Sequence, residues 1–111
     1  MSQKIKGTTI IMTRGDTLRC KINITTQDGS LYIPVDGDII RFAAKKKYSD
    51  EAPAITKYIP WDTLELRLDP EDTKHLEQPG DYVYDIQITL NDGTVDTFIE
   101  RAKLKITEEV D

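Results

Sequence analysis

The chain has 111 residues, a length typical of one domain with a single hydrophobic core. Hydrophobic residues make up 38% of it and charged residues 32%, a balance that excludes both a disordered chain and a membrane protein. The net charge of −5 argues against a nucleic-acid partner, because proteins that bind nucleic acids carry a basic face. The start, Met1 to Lys6, lacks the apolar stretch of a signal peptide, so we expect synthesis in the cytoplasm.

Apolar and polar residues alternate with a period of two along most of the chain, which predicts β-strands. The predicted strands cover residues 8–13, 18–25, 31–33, 39–45, 55–59, 64–68, 82–90 and 95–107. Turn signals separate them at intervals of about 8 to 12 residues, as in two-sheet sandwiches. We therefore expect an all-β fold, a two-sheet antiparallel sandwich of about seven strands. It forms one domain over residues 1–111, of which residues 1–7 are expected to be a flexible N-terminal segment.

One polar segment breaks the alternation before the longest strand. Asp69 suits the N-cap of a helix, and Pro70 suits its first position. Glu71 and Asp72 complement the positive end of the helix dipole. These residues predict one short helical turn, which Pro79-Gly80 ends.

The dipeptide Asp92-Gly93 gives the clearest hairpin signal, because it supplies the positive φ angles of a tight turn. A two-residue turn there places Leu90 opposite Val95. Further along the last strand, the parity of the apolar positions changes between Ile99 and Ala102. This change predicts a β-bulge between those two residues.

Cys20 is the only cysteine, so an internal disulfide is impossible. It shares its side of the predicted strand with Leu18 and Ile22, which places the thiol toward the core. Tyr84 lies on the inward side of the longest strand. We therefore predict that Cys20 and Tyr84 are buried in the same core layer.

No catalytic residues, cofactor site or metal site are expected, and we predict that the protein is not an enzyme. His75 is the only histidine, and its polar setting predicts a solvated side chain. The acidic clusters at residues 36–38 and 69–72 match no calcium-loop spacing such as that of the EF-hand. Turn formation and helix capping account for both clusters.

Two further features carry alternative interpretations. Residues 14–16 spell the integrin-recognition tripeptide Arg-Gly-Asp, but Gly15 is also suited to a kink between the first two strands. Trp61 lies at a turn between strands, where an indole can contact a sugar or protein ligand or can cap the end of the core.

Turn and corner residues recur in four short stretches, at residues 13–18 (TRGDTL), 68–73 (LDPEDT), 80–86 (GDYVYDI) and 92–95 (DGTV). In this order they resemble small immunoglobulin-like proteins encoded in phages and prophages of Gram-positive gut bacteria. Those proteins are similar to the N-terminal module of phage baseplate upper proteins. The resemblance covers about residues 8–110 and implies an immunoglobulin-like sandwich with the helical turn before strand F.

The resemblance also implies a function without catalysis. We expect a structural or assembly module of a phage or prophage virion, associated with the tail or baseplate, that acts through protein–protein contacts. The alternative is a β-sandwich module that binds carbohydrate or a cell surface and uses Trp61 as a ligand contact.

The solvent face of the last two strands is the predicted docking surface. Phe98 is expected opposite Gln87 on the face away from the core, in a contiguous patch with Val83 and Ile39, and with Arg41 at its rim. An apolar centre with a charged rim is typical of association surfaces. The expected partner is another protein or a second copy of the chain, with neither nucleic acid nor membrane involved.

Overall fold

The computed structural model describes residues 5–6, 9–25, 30–47, 49–76 and 80–108, with the side chains of residues 5, 6, 25 and 98–101 left out of the description. Ten strands and one short helix lie in these ranges. The strands are β1 (Ile5–Lys6), β2 (Ile10–Thr13), β3 (Leu18–Lys21), β4 (Ile24–Thr25), β5 (Leu31–Tyr32), β6 (Ile39–Lys45), β7 (Ile55–Ile59), β8 (Glu65–Leu68), β9 (Gly80–Thr89) and β10 (Val95–Thr107). The helix, α1, spans Pro70–Lys74.

The expectation of an all-β fold is confirmed, since β-strands dominate the structure and α1 is its one short helix in the described ranges. The count of about seven strands was too low, because residues 18–25, predicted as one strand, form the two strands β3 and β4, and because β1 lies in the segment expected to be flexible. A strand of two residues such as β1 is too short to show periodicity in a sequence. The helical part of the described chain offers no segment with the length and hydropathy needed to cross a membrane.

A six-stranded sheet forms the larger layer, in the order β1-β10-β9-β6-β7, and β2 also pairs with β10. Its central pairs are antiparallel, whereas β1 and β2 run parallel to β10. Two smaller sheets consist of β3 with β8 and of β4 with β5. Ile5 and Lys6, within the segment expected to be flexible, form β1 and pair with Ile99 and Glu100.

The core lies between the six-stranded sheet and the β3–β8 pair. Every second residue of β9, from Tyr82 to Ile88, is buried, as the period of two requires. These side chains belong to the same cluster as Leu66 and Leu68 of β8. Phe42 of β6 is fully buried, and its ring packs on that of Tyr84 with centroids 5.1 Å apart. Each large apolar side chain buried in this way contributes about 1.5–3 kcal/mol.

The predicted helical turn is confirmed, with Asp69 as its N-cap and Pro70 at its start. The backbone N–H of Asp69 donates to the Asp72 carboxylate at 2.7 Å. Thr73 of α1 is fully buried, and its hydroxyl accepts the N–H of Gly15 at 2.8 Å. This contact fixes the turn between β2 and β3, where Gly15 has a φ of 86°. The kink interpretation of Gly15 is therefore confirmed, and the Arg-Gly-Asp tripeptide is held against the helix.

The hairpin between β9 and β10 differs from the predicted two-residue turn. The N–H of Leu90 donates to the carbonyl of Thr94 at 2.8 Å, so that the loop consists of residues 91–93. Val95 consequently lies opposite Thr89 and not opposite Leu90. The bulge predicted between Ile99 and Ala102 is confirmed, and a second register shift lies between Thr97 and Ile99.

Gly93 ends this loop with a φ of 90°, a conformation that L-residues with side chains rarely adopt. A Cβ at this position would meet nothing within 4 Å, so the cost of a substitution comes from the backbone alone. Gly93→Val should lower the free energy of unfolding by about 1–2 kcal/mol in urea denaturation. Gly93→Asn, the control, should cost clearly less because asparagine tolerates positive φ. Equal losses for the two variants would contradict this account.

Candidate interaction surfaces

The face of the six-stranded sheet that points away from the core, here called the outer face, carries the clearest candidate site. Its first row crosses three strands, with Ile39 of β6, Thr89 of β9 and Val95 of β10 side by side. Ile39 is 52% exposed and Val95 is 55% exposed. Strands are about 4.8 Å apart, so these two apolar side chains lie about 10 Å from each other across Thr89.

The second row adds an aromatic side chain to the outer face. Tyr58 of the edge strand β7 lies opposite Arg41, which lies opposite Gln87, and Gln87 lies opposite Thr97. Arg41 donates from Nη2 to the Gln87 amide oxygen at 3.1 Å. Tyr58 is 66% exposed. The outer face therefore presents Ile39, Val95 and Tyr58 around a fixed polar pair.

The other end of the outer face is basic. Lys45, Val83 and Lys103 form one row, and Asp81 lies opposite Lys105 in the row beyond it. Ile11 of β2, which is 65% exposed, lies beside Lys105.

The predicted contiguous patch of Phe98, Val83 and Ile39 is wrong in its geometry. Val83 is half-buried beside Lys45, whereas Ile39 lies beside Thr89, and that length of strand spans about 20 Å. Thr97, not Phe98, lies opposite Gln87, because the β9–β10 loop has three residues and not the predicted two. The side chain of Phe98 lies outside the described residues. The alternation of residues in β7 could have placed Tyr58 on the outer face from the sequence alone. Val95 could not be placed there without the observed register of the β9–β10 hairpin.

A shallow groove of about 210 Å³ lies between β7 and β8, near the turn that holds Trp61. Trp61 is 37% exposed, so its indole is partly covered at this turn. The groove is lined by Lys57, Tyr58, Pro60, Thr63, Glu65, Arg67 and Asp69. Its walls thus combine one exposed aromatic ring with charged groups of both signs.

Ion pairs close the inner end of this groove. Lys57 lies 3.3 Å from the Asp69 carboxylate and 3.0 Å from that of Asp72, and Arg67 contacts Asp69 at 2.8 Å. The hydrogen bond from Arg67 and, after it, that from Lys57 lower the pKa of Asp69. The hydrogen bond to Asp72 is the main cause that raises the pKa of Lys57. The acidic cluster expected to cap the helix is therefore also held by two cations.

Lys57 has a second effect, on the edge of the six-stranded sheet. The strand β7 ends the strand order, and its residues alternate between the outer face and the core side. Lys57 is on the core side and reaches Asp69 and Asp72. An inward-pointing charge on an edge strand hinders pairing with another chain. Docking by strand addition at β7 is therefore disfavoured.

Cys20 and Tyr84 partly follow the prediction. Tyr84 is 4% exposed, and burial followed by the charge of the nearby Cys20 thiolate raises its pKa to about 12. The predicted burial of Tyr84 is therefore confirmed. Cys20 itself is only half-buried, with its sulfur 3.8 Å from the carbonyl of Lys21, so the prediction of full burial is wrong. β3 lies in a sheet of only two strands, so its side chains have a neighbouring strand on one side only.

The remaining polar candidates have structural contacts. His75 is exposed, but its ring nitrogens lie 3.1 Å from the carbonyl of Glu71 and 3.0 Å from that of Ala54, so it bridges α1 to the segment before β7. Asp38 is buried and accepts from the Tyr32 hydroxyl at 2.7 Å. Among the described residues, no group of three or more histidine, cysteine, aspartate or glutamate side chains is placed to hold a metal ion.

Comparison of the sequence with models of known protein families gives no match, and a search of the curated proteins also finds no match.

The pKa of Asp69 predicts a dependence of stability on pH. Its pKa in the folded state lies below the unfolded value of 3.8, so the carboxylate stabilises the fold above that pH and loses this effect as the pH falls through the folded pKa. Asp69→Asn keeps a good N-cap but removes the charge. The variant should show a smaller loss of unfolding free energy between about pH 7 and about pH 2 in urea titrations.

The charge-matched control is Asp62→Asn, which removes an exposed carboxylate from the neighbouring turn. Both variants are compared by the loss of unfolding free energy between about pH 7 and about pH 2. If Asp69→Asn reduces this loss no more than Asp62→Asn does, the ion pairs of Asp69 do not stabilise the fold.

Proposed function

We propose that the chain is a non-enzymatic structural module of a phage or prophage virion, associated with the tail or baseplate, that acts through protein–protein contacts. The observation that carries the proposal is the exposure of Ile39, Val95 and Tyr58 in adjoining rows of the outer face. A solvent-facing sheet surface normally holds polar side chains at such positions. Apolar residues around a fixed polar pair are typical of association surfaces.

The proposed fold class within all-β proteins is immunoglobulin-like. Three features support it: β3 pairs with β8 apart from the larger sheet, β6, β9 and β10 are adjacent, and a helical turn precedes β9. Tyr82 then takes the place of the corner tyrosine, two residues before the buried Tyr84. A fold by itself does not define a function, so the exposed side chains of the outer face and not the immunoglobulin-like fold support the proposed protein–protein contacts.

The test of this function is incorporation into particles. Phage particles from the bacterium that carries the gene are purified on a density gradient, and the chain is detected by immunoblotting. We expect it to sediment with the particles, and Ile39→Asp to reduce its incorporation at least about tenfold, because a buried charge opposes association.

The matched control is Leu31→Asp, at a residue that is 56% exposed on β5, away from the outer face. It should be incorporated normally. A chain that is missing from purified particles would exclude the virion function, and equal incorporation of both variants would exclude the outer face as the contact.

A second candidate function is binding of carbohydrate or a cell surface, and the groove beside Trp61 favours it. Tyr58 and Trp61 are both exposed, and aromatic rings with neighbouring charged groups are suited to sugar rings. The groove is smaller than most ligand pockets, which occupy about 300–1,000 Å³.

Trp61 is the only tryptophan, so its fluorescence reports on this turn alone. If the groove binds sugar, titration with monosaccharides and cell-wall fragments should shift the emission to the blue with saturation, and Tyr58→Ala should weaken the response. An emission spectrum that stays constant with every sugar would rule out this candidate.

A further inference from the structure

The two ends of the outer face carry opposite charges. At one end, the basic end, Lys103 and Lys105 are exposed and Lys45 is half-buried, with Asp81 4.0 Å from Lys103 as a partial counter-charge. At the other end, the acidic end, Asp36 and Asp92 are exposed in the turns that flank Ile39 and Val95. The face is therefore polarised along the direction of its strands.

The acidic end is built as one unit. The side-chain amide of Asn91 donates to the carbonyl of Asp36 at 3.0 Å, which holds the two turns side by side. The backbone N–H of Thr94 donates to the Asp92 carboxylate at 2.9 Å, which fixes the carboxylate in the turn and lowers its pKa.

We propose that the outer face binds a second copy of the chain, related by a twofold axis that runs across the strands between the rows of Asp85 and Gln87. The inference deepens the proposed function and rests on it, since it names the first partner of the same surface. Such an axis reverses the strand direction in the second copy. The basic end of each copy then lies over the acidic end of the other.

The register of the strands makes this arrangement specific. The axis exchanges the row of Val83 with the row of Thr89, so Lys45 lies over Ile39 of the second copy and Lys103 lies over its Val95. The aliphatic stems of lysine cover apolar side chains while the ammonium groups reach toward neighbouring carboxylates. Asp36 and Asp92 lie next to Ile39 and Val95 in this position.

The middle rows are complementary in size. The axis places Arg41 over Ala43 and Tyr58 over Thr56 of the second copy, so each large side chain meets a smaller one. Side chains of facing sheets interdigitate best when large and small residues alternate.

The available area and the charge distribution both favour a second copy as the occupant. Strands β7, β6, β9 and β10 have 5, 7, 10 and 13 residues, and at a width of about 4.8 Å each they give a face of roughly 570 Å² for each copy. Two such faces bury roughly 1,100 Å², which exceeds the about 1,000 Å² expected of a specific interface. A uniformly acidic or basic partner would be repelled at one of the two ends, whereas a second copy complements both.

The experiment uses two charge-reversed variants in sedimentation equilibrium. Lys103→Glu with Lys105→Glu makes both ends of the face acidic, and Asp36→Lys with Thr89→Lys makes both ends basic. We expect a wild-type dimer whose dissociation constant rises at least about tenfold between 0.1 M and 1 M salt, as the screening length falls from about 10 Å to about 3 Å. Each variant alone should be monomeric, and an equimolar mixture should form a one-to-one complex.

The matched control is Arg19→Glu with Lys21→Glu, which makes the same change in charge on β3, outside the outer face. It should dimerise like the wild type and form no complex with the basic variant beyond the wild-type level. Thermal melting checks that the variants are folded. If one fails, Lys103→Gln alone should still weaken the dimer several-fold.

A wild type that stays monomeric at a protein concentration of about 0.5 mM would overturn the proposal. So would a mixture of folded variants without complex formation. The outcome of the particle experiment does not depend on either result. A chain that is incorporated into particles as a monomer would support the proposed function and exclude only a second copy as its partner.

Discussion

The packing of β9 on both neighbouring strands and on the β3–β8 pair is the constraint from which the other features follow. Its even-numbered side chains from Tyr82 to Ile88 are buried against β6 and β8 residues such as Phe42 and Leu66. A shift of one residue would expose all of them, so the register is strongly determined. The same parity sends every odd-numbered side chain of β9 to the outer face. The composition of that face is therefore not needed for the core and is free to serve association.

Lys57 opposes association at the edge of β7 and leaves the outer face as the surface for association. Its ammonium group lies between the layers with Asp69 and Asp72, at an edge strand that would otherwise present a free row of backbone groups. The ion pairs are partly exposed and screened by solvent, so they add little to stability. Their main effect is on specificity, since they oppose strand addition at β7. Association is thereby directed from the edge to the outer face.

The elements of the fold were largely predictable, because strand periodicity and the capping residues of α1 act locally. Asp69, Pro70 and Gly93 take the places that their chemistry indicates. The arrangement of the outer face was not predictable, because it depends on register across strands. One additional residue in the β9–β10 loop places Val95 beside Thr89, and the compensating shift at Phe98 restores the pairing of Ile86 with Ile99. A local turn signal does not determine which of the closely related hairpin loops forms.

The stability of the monomer explains why each exposed apolar residue occurs on the outer face. It does not explain how these residues and the charged residues are arranged there. Ile39 and Val95 are β-branched, and such residues favour strands even where they are exposed. Tyr58 lies opposite Arg41, a cross-strand pair that stabilises a sheet edge. Neither preference requires lysines at the end of the face remote from Ile39, or carboxylates at the near end. Dimerisation about a twofold axis requires both the lysines and the carboxylates, because the axis brings the basic end of one copy over the acidic end of the other. The opposite charges therefore support self-association more strongly than the apolar side chains do.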